Sequence, residues 1–262
     1  MLLVILYILI YICLNYTIIP QYKDSLRDEE FPKHIWIFWH SRIGPKIVGH
    51  CIRKLKQMNP SWSIIVLNDK TYTKYIEKIE QRMPLQQKSE FIRVNLLEKY
   101  GGIWCDASIL FLKPIEDIFI DYHKYEYIGY RNPVREVKEL NKPVIESWFM
   151  GCKKECLFIK KLRIEMNTMF EYTHIIDYVD NLLDKGVSPQ KIRHIDYLAM
   201  YIAIQYVLDD VSNYLLLDGS GPLFYEQVAR SFKGLKYNTQ PVIKLTKEFR
   251  GAKHFHKHLY NL

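Results

Sequence analysis

The sequence contains no G-x-x-x-x-G-K-[ST] loop and no G-x-G-x-x-G turn, so a glycine-rich phosphate cradle is not the organising site. It has no H-E-x-x-H helix and no G-x-S-x-G nucleophile elbow. No helix-turn-helix, zinc-finger or aromatic-basic ribonucleoprotein pattern is present, so nucleic acid is not the partner expected from the net charge of +8. Cysteine is scarce, with 5 in 262 residues, and Cys13 lies in an apolar leader. An odd, dilute set of this kind is not a disulfide framework and fits a reducing, cytoplasm-facing compartment. Cys152 and Cys156 form a lone C-x₃-C without a second pair, a poor zinc signal. There is no internal repeat and no low-complexity tract.

What is present is apolar and aromatic. Hydrophobic residues make up 48% of the chain, enough to bury a sizeable core, and the length suits one large α/β domain. The 20 tyrosines can offer ring faces to sugar C–H groups, although packing explains most such rings equally well. Residues 2–19 carry no charge; about 19 helical residues at about 1.5 Å each reach about 28 Å, close to a bilayer's hydrocarbon thickness. A single transmembrane anchor is expected over residues 1–20, followed by a polar stalk over 21–32. A cleaved signal peptide is the rival reading, but neither a basic n-region nor a small-residue cleavage site is visible. Lys23 and Arg27 follow the span and none precedes it, which favours a cytoplasmic body; a Golgi-type protein would have the body in the lumen. Membrane lipid is thus an expected partner.

The body, residues 33–262, reads as alternating elements. Residues 34–39 are a branched and aromatic strand. Apolar positions Ile47, Val48, Cys51, Ile52, Leu55 and Met58 recur at helical spacing until Asn59-Pro60. Residues 62–67 read as a strand buried on both faces, and 71–79 as helical. Ser89 reads as a helix N-cap with Glu90 in the first turn, and Gly101-Gly102 end that helix. Residues 103–112 are expected to be extended throughout. Further strands are expected at 125–130, 144–150 and 242–245, and helices at 156–170, 174–183 and 195–207. This order argues for an α/β domain with a mostly parallel sheet, whose ligands sit at the C-terminal strand ends. Trp39-His40, Asn68-Asp69 and Asp106-Ala107-Ser108 fall at such ends. His40 there reads as a packed or loop histidine before a catalytic base.

The chemistry concentrates in residues 89–114. One aspartate, Asp106, stands in a run of Ile, Trp, Cys, Leu and Phe, where an unpartnered carboxylate is expensive. Either it meets a ligand, a metal or a cation, or the strand ends there. Glu90 and Arg93 are three apart on one helix face. The residues alone leave open a donor site and an internal ion-pair network of Arg93, Glu90 and Asp106.

Ser89-Glu90-Phe91-Ile92-Arg93 followed by Tyr100-Gly101-Gly102-Ile103-Trp104-Cys105-Asp106-Ala107-Ser108 resembles the capsular polysaccharide synthesis proteins related to glycosyltransferase family 32, glycosyltransferases with a DXD sugar-binding region. Pro32-Lys33-His34-Ile35-Trp36, Asn59-Pro60-Ser61-Trp62, Ser147-Trp148-Phe149-Met150 and Lys244-Leu245-Thr246 extend the likeness. The resemblance implies a GT-A-type fold and retaining transfer of a sugar, by a hexosyltransferase, from a nucleotide-sugar donor to a glycan or lipid-linked acceptor in cell-surface or capsular polysaccharide synthesis. It implies catalytic roles for Asp106 and Arg93 and donor contacts from Trp39, Glu90, Gly101, Gly102, Asp106, Ser108, Ser147 and Trp148. It further implies Mn2+ or Mg2+, with Asp106 and Ser108 as ligands and His256, in the basic C-terminal cluster, as a third. Two departures bear on this. Ser108 stands where Asp-x-Asp has its second carboxylate, and Glu90 is one methylene longer than the usual Asp. A non-catalytic, membrane-tethered protein that binds sugar nucleotide or glycan is the alternative, and an unrelated nucleotide-binding α/β protein a third reading.

Overall fold

The branched and aromatic run His34–Phe38 forms β1, the second strand of a six-stranded sheet whose order is β2 (Ser63–Leu67), β1, β3 (Gly102–Cys105), β6 (Ile145–Cys152), β5 (Tyr127–Arg131) and β7 (Tyr214–Asp218). The computed structural model describes residues 30–79, 83–136, 142–188, 190, 195–208, 213–220 and 241–245. β1 pairs in parallel with β2 and β3, and β5 in parallel with β7; β6 runs antiparallel to both β3 and β5. The sheet is therefore mostly parallel, with β6 reversed. β4 (Ile109–Phe111) and β8 (Val242–Lys244) form a separate antiparallel pair.

Alternation along the strands divides the core between the two faces of the sheet. Trp36, Phe38, Trp104 and Met150 point to one side, where they meet α2 (Leu85–Tyr100), α4 (Leu157–Glu171), α5 (Ile175–Leu183) and α6 (Ile195–Val207). Ile35, Ile37, Ile103 and Cys105 point to the other, against α1 (Lys46–Met58), the β4–β8 pair and the short α3 (Ile115–Ile118). Asn59, buried at the end of α1, ties that side together. Its Nδ2 donates to the Leu55 carbonyl at 3.0 Å and its Oδ1 accepts from the Ile115 amide at 2.8 Å.

Four local expectations are corrected. β2 is not buried on both faces: it is the sheet's edge, and Val66 is exposed. Residues 71–79 hold only a 3-10 turn, Tyr72–Lys74. There Asn68 and Thr71 close a local turn, the Asn68 amide donating to Thr71 Oγ1 and Asn68 Oδ1 accepting from the Lys70 amide, which competes with helix formation. α2 begins at Leu85, after Pro84, so Ser89 lies inside it; the added turn, Leu-Gln-Gln-Lys, consists of good helix formers. Residues 103–112 are not one extended run. The chain turns at Asp106, where the Ile109 amide donates to the Asp106 carbonyl at 3.1 Å, and passes from one sheet to the other. β7, which no periodicity announced, completes the edge beside β5.

Among the described residues no helix is long and apolar enough to cross a membrane. The apolar stretch at residues 2–19, residues 21–29 of the expected stalk and His256 lie outside the described residues, whereas Phe31, at the end of the expected stalk, is buried in the core.

Candidate functional site

The parallel strands β1, β2, β3, β5 and β7 end on one edge of the sheet, and the reversed β6 begins there. Backbone bonds stitch that edge: the Trp39 amide to the Leu67 carbonyl at 3.0 Å, the Asp69 amide to His40 at 3.3 Å, and the Asp106 amide to Trp148 at 2.9 Å. β6 is irregular at this point. Gly129 faces Met150, but the next β5 residue, Tyr130, faces Glu146, so Ser147, Trp148 and Phe149 are extra on β6. Such a bulge re-aims side chains beside a site. Trp148 is buried, stacked on Tyr130 with ring centroids 4.6 Å apart, while Ser147 is half-buried.

Asp106 is the centre of the edge. Its Oδ1 accepts from Arg93 Nη2 at 3.3 Å and from Trp104 Nε1 at 3.1 Å. Its Oδ2 accepts from the Lys244 ammonium in a short, charge-assisted contact. Trp104 reaches Asp106 because residues two apart share a strand face. The Arg93 guanidinium lies 4.9 Å from the Trp104 ring centroid and donates through Nη1 to Met200 Sδ at 3.5 Å. Arg93 and Lys244 side chains are 5% and 12% exposed, whereas Asp106 keeps 28%, so the carboxylate is the group presented to solvent. Burial alone would raise the Asp106 pKa. Lys244 and then Arg93 outweigh it and hold the carboxyl below its ordinary value, so it is ionised.

Glu90 sits one helical turn before Arg93 and is buried. Burial pushes its carboxyl up to about 7, opposed by the charge of Arg93 and by the bond from Gln86 Nε2 at 2.9 Å. The edge thus holds two cations, one fixed anion and one carboxyl that titrates near neutrality. That balance suits an anionic ligand.

The expected site residues divide into those this edge collects and those it does not. Asp106, Arg93, Glu90, Trp39, Ser147 and Trp148 lie at or against it. Gly101 and Gly102 stand at the other end of β3, about 13 Å from Asp106 at about 3.3 Å per strand residue. Their glycine identity has a packing cause. With φ of +65° and +82°, a β-carbon on Gly101 would meet the Lys154 amide nitrogen at 2.7 Å, and one on Gly102 the His34 carbonyl at 2.7 Å. The Gly101 carbonyl accepts from Trp36 Nε1 at 3.0 Å and lies equally close to His34 Nε2. Ser108 is buried in the turn, its carbonyl accepting from the Leu245 amide at 3.0 Å.

Lys244 is the residue that sequence reasoning missed as a site group. A lone lysine in the apolar stretch Val242-Ile243-Lys244-Leu245 is a signal of the same kind as the lone Asp106, and it was legible only as a fragment of Lys-Leu-Thr. A second polar cluster was also missed. The buried Glu146 accepts from Asn132 Nδ2 at 2.6 Å and from the Tyr201 hydroxyl at 2.5 Å, and Arg135 lies 5.5 Å from the Tyr201 ring centroid. Met200 and Tyr201, adjacent on α6, join it to Arg93.

A divalent hard cation takes several oxygen ligands. Both Asp106 oxygens already face cationic donors, Ser108 is buried, and among the described residues no three His, Cys, Asp or Glu side chains converge. The described donor set does not fit Mn2+ or Mg2+.

A protein-family model described as capsular polysaccharide synthesis protein matches residues 13–258. O-glycosyltransferase braB of Annulohypoxylon truncatum is 25% identical over 153 residues, 49% of this chain and 35% of that protein. O-glycosyltransferase PaGT of Phomopsis amygdali is 21% identical over 159 residues, 52% and 38% of the two chains. The matches span little more than a third of the length of either relative. Among solved structures, a glycosyltransferase involved in the glycosylation of the major capsid of PBCV-1 aligns with a TM-score of 0.48 and 11% identity over 88% of this chain and all of that one. The galactosyltransferase LgtC, in complex with donor and acceptor sugar analogues, aligns with a TM-score of 0.44 and 10% identity over 87% and 95%.

Proposed function

The chain belongs to the capsular polysaccharide synthesis protein family, and we propose that it is a glycosyltransferase working at the Asp106 edge. In this reading it has a GT-A-type arrangement and moves a hexose from a nucleotide-sugar donor to a hydroxyl of a glycan or lipid-linked acceptor. The bond from the anomeric carbon to the donor's phosphate oxygen breaks, and its electron pair leaves with the nucleoside diphosphate. The acceptor oxygen forms the new glycosidic bond, and its proton passes to the departing phosphate. Retention of configuration at the anomeric carbon is part of the same reading.

One observation carries the reading: an ionised, solvent-facing Asp106 held between Arg93 and Lys244 at the C-terminal edge of a mostly parallel sheet. Fixed cations aimed at a site where phosphate charge develops are what this chemistry requires. In this reading Trp39, which follows β1, flanks the donor's base. The test is turnover of a panel of nucleotide sugars by the full chain, with Asp106→Ala beside it. Loss of turnover in a folded variant supports the reading, and undiminished activity removes it. Tight nucleotide-sugar or glycan binding with no turnover under any condition would instead identify a non-catalytic binding protein.

The apolar stretch at residues 2–19, with Lys23 and Arg27 after it, supports single-pass anchoring with the body on the cytoplasmic side. Digestion of the whole body by protease added outside right-side-out vesicles would contradict that placement.

A further inference from the structure

The Asp106 carboxylate has two oxygens, and each is taken by a resident cation. Oδ2 accepts from Lys244; Oδ1 accepts from Arg93 and from the Trp104 indole. Lys244 is not a surface side chain that happens to lie near. It belongs to β8, where it pairs with Ile109 across the small antiparallel sheet, and the next amide, Leu245, donates to the Ser108 carbonyl at 3.0 Å. Both ends of the Asp106-Ala107-Ser108 turn are thereby locked to the strand that carries the ammonium. The Lys244 side chain is only 12% exposed, and a lysine withdrawn so far from water is retained where a charge partner and further acceptors meet it. An ammonium has three donors, and Asp106 Oδ2 accepts from one of them. Arg93 adds a buried Nε that has no hydrogen-bond partner among the described residues.

We propose that Lys244, with Arg93, supplies the positive charge that holds the donor's diphosphate, and that Asp106 is the residue that positions these two cations rather than a ligand for a divalent metal. Sugar transfer is then metal-independent. As the anomeric carbon–oxygen bond breaks, the electron pair that settles on the phosphate is met by the ammonium and the guanidinium. This inference rests on the glycosyl-transfer reading above and replaces the Mn2+ or Mg2+ that the family resemblance implied.

The experiment is calorimetric titration of the full chain with UDP, GDP, CDP, ADP and dTDP, first in EDTA and then with excess MnCl2 or MgCl2. At least one diphosphate is expected to bind in EDTA, with its Kd changing less than about threefold when cation is added, because no ligand set for the metal has to be completed. Lys244→Met is expected to weaken that binding by about tenfold or more, the scale of one lost charge-assisted contact. Lys244→Arg, which keeps the charge and a donor, is expected to recover most of it and also serves as the folding control. Binding that appears only with cation, or Lys244→Met binding like the parent, overturns the inference while leaving glycosyl transfer standing. No binding of any nucleotide, with or without cation, overturns the donor reading and this inference together.

Discussion

Gly102→Ala tests whether the Gly101-Gly102 pair serves the fold or the donor. The residue has φ of +82°, and an added β-carbon would lie 2.7 Å from the His34 carbonyl oxygen and 2.5 Å from its ring. The carbonyl belongs to the neighbouring strand β1, which pairs with β3 and cannot move without disturbing the sheet. Holding an L-residue at positive φ costs about 1–2 kcal/mol, and forcing an extra carbon into a packed site costs about 1–3 kcal/mol. Their sum is about 2–5 kcal/mol, a large part of the stability of about 5–15 kcal/mol that a domain has. With a urea slope of about 3 kcal/mol per molar, the upper end of the usual range and the one that suits a chain of this length, the unfolding midpoint should fall by roughly 0.7–1.7 M. The assay is urea unfolding followed by tryptophan fluorescence, with nucleotide binding measured on the same samples below the transition. A loss under about 1 kcal/mol, within the range of an ordinary substitution, would refute the packing argument. Unchanged stability with selective loss of nucleotide binding would return Gly102 to the donor site.

Glu90→Gln should flatten part of the pH dependence of stability. The Glu90 carboxyl is pushed from 4.5 to about 7 in the folded chain, so between those values the native state holds a proton that the unfolded state has lost. The stability it contributes is full below about 4.5 and is lost as pH rises to about 7, a few kcal/mol at most. The variant should match the parent near pH 4.5 and exceed it at pH 8; equal slopes in urea titrations at the two pH values would contradict this. Asn59→Leu removes the acceptor of the buried Ile115 amide and the donor to Leu55, and should cost about 1–3 kcal/mol in the same urea assay; a neutral result would show that the contact between α1 and α3 is not held there. Cys51, Cys105, Cys152 and Cys156 are buried, and burial pushes the Cys51 thiol to about 12. None of the four should react with a thiol reagent at pH 8 until the chain is unfolded, and rapid labelling at any of these four positions in the native protein would show that the core opens.

The periodic elements were legible because their signal is local. The spacing of Ile47, Val48, Cys51 and Leu55 set α1, and the His34–Phe38 run set β1. The lone Asp106 was legible as a partnered carboxylate because an aspartate among large apolar residues demands a partner. The alternatives that the residues left open, a cation partner or a strand end, both hold: the strand stops at Cys105 and two cations meet the carboxylate. What stayed hidden depends on chain segments far apart. Nothing near Ile109 tells that β4 leaves the sheet of β3, because its partner, β8, lies over 100 residues later. Lys244 was hidden for the same reason. The packing of the glycine pair stayed hidden because a positive-φ backbone looks alike in sequence whether it admits a ligand or a neighbouring strand. The close approach of Lys154 and His34 shows only in the folded chain.

The most direct measurement is nucleotide-sugar turnover by the full chain against its Asp106→Asn variant, which keeps the shape of the side chain and removes its charge. The parent should turn over at least one donor, and kcat/KM should fall by about a hundredfold or more in the variant, the scale of a lost electrostatic group at the reacting centre, with the circular-dichroism spectrum unchanged. Equal kcat/KM in the two proteins would contradict this, because Asp106 could not then be the group that organises Arg93 and Lys244 around the donor.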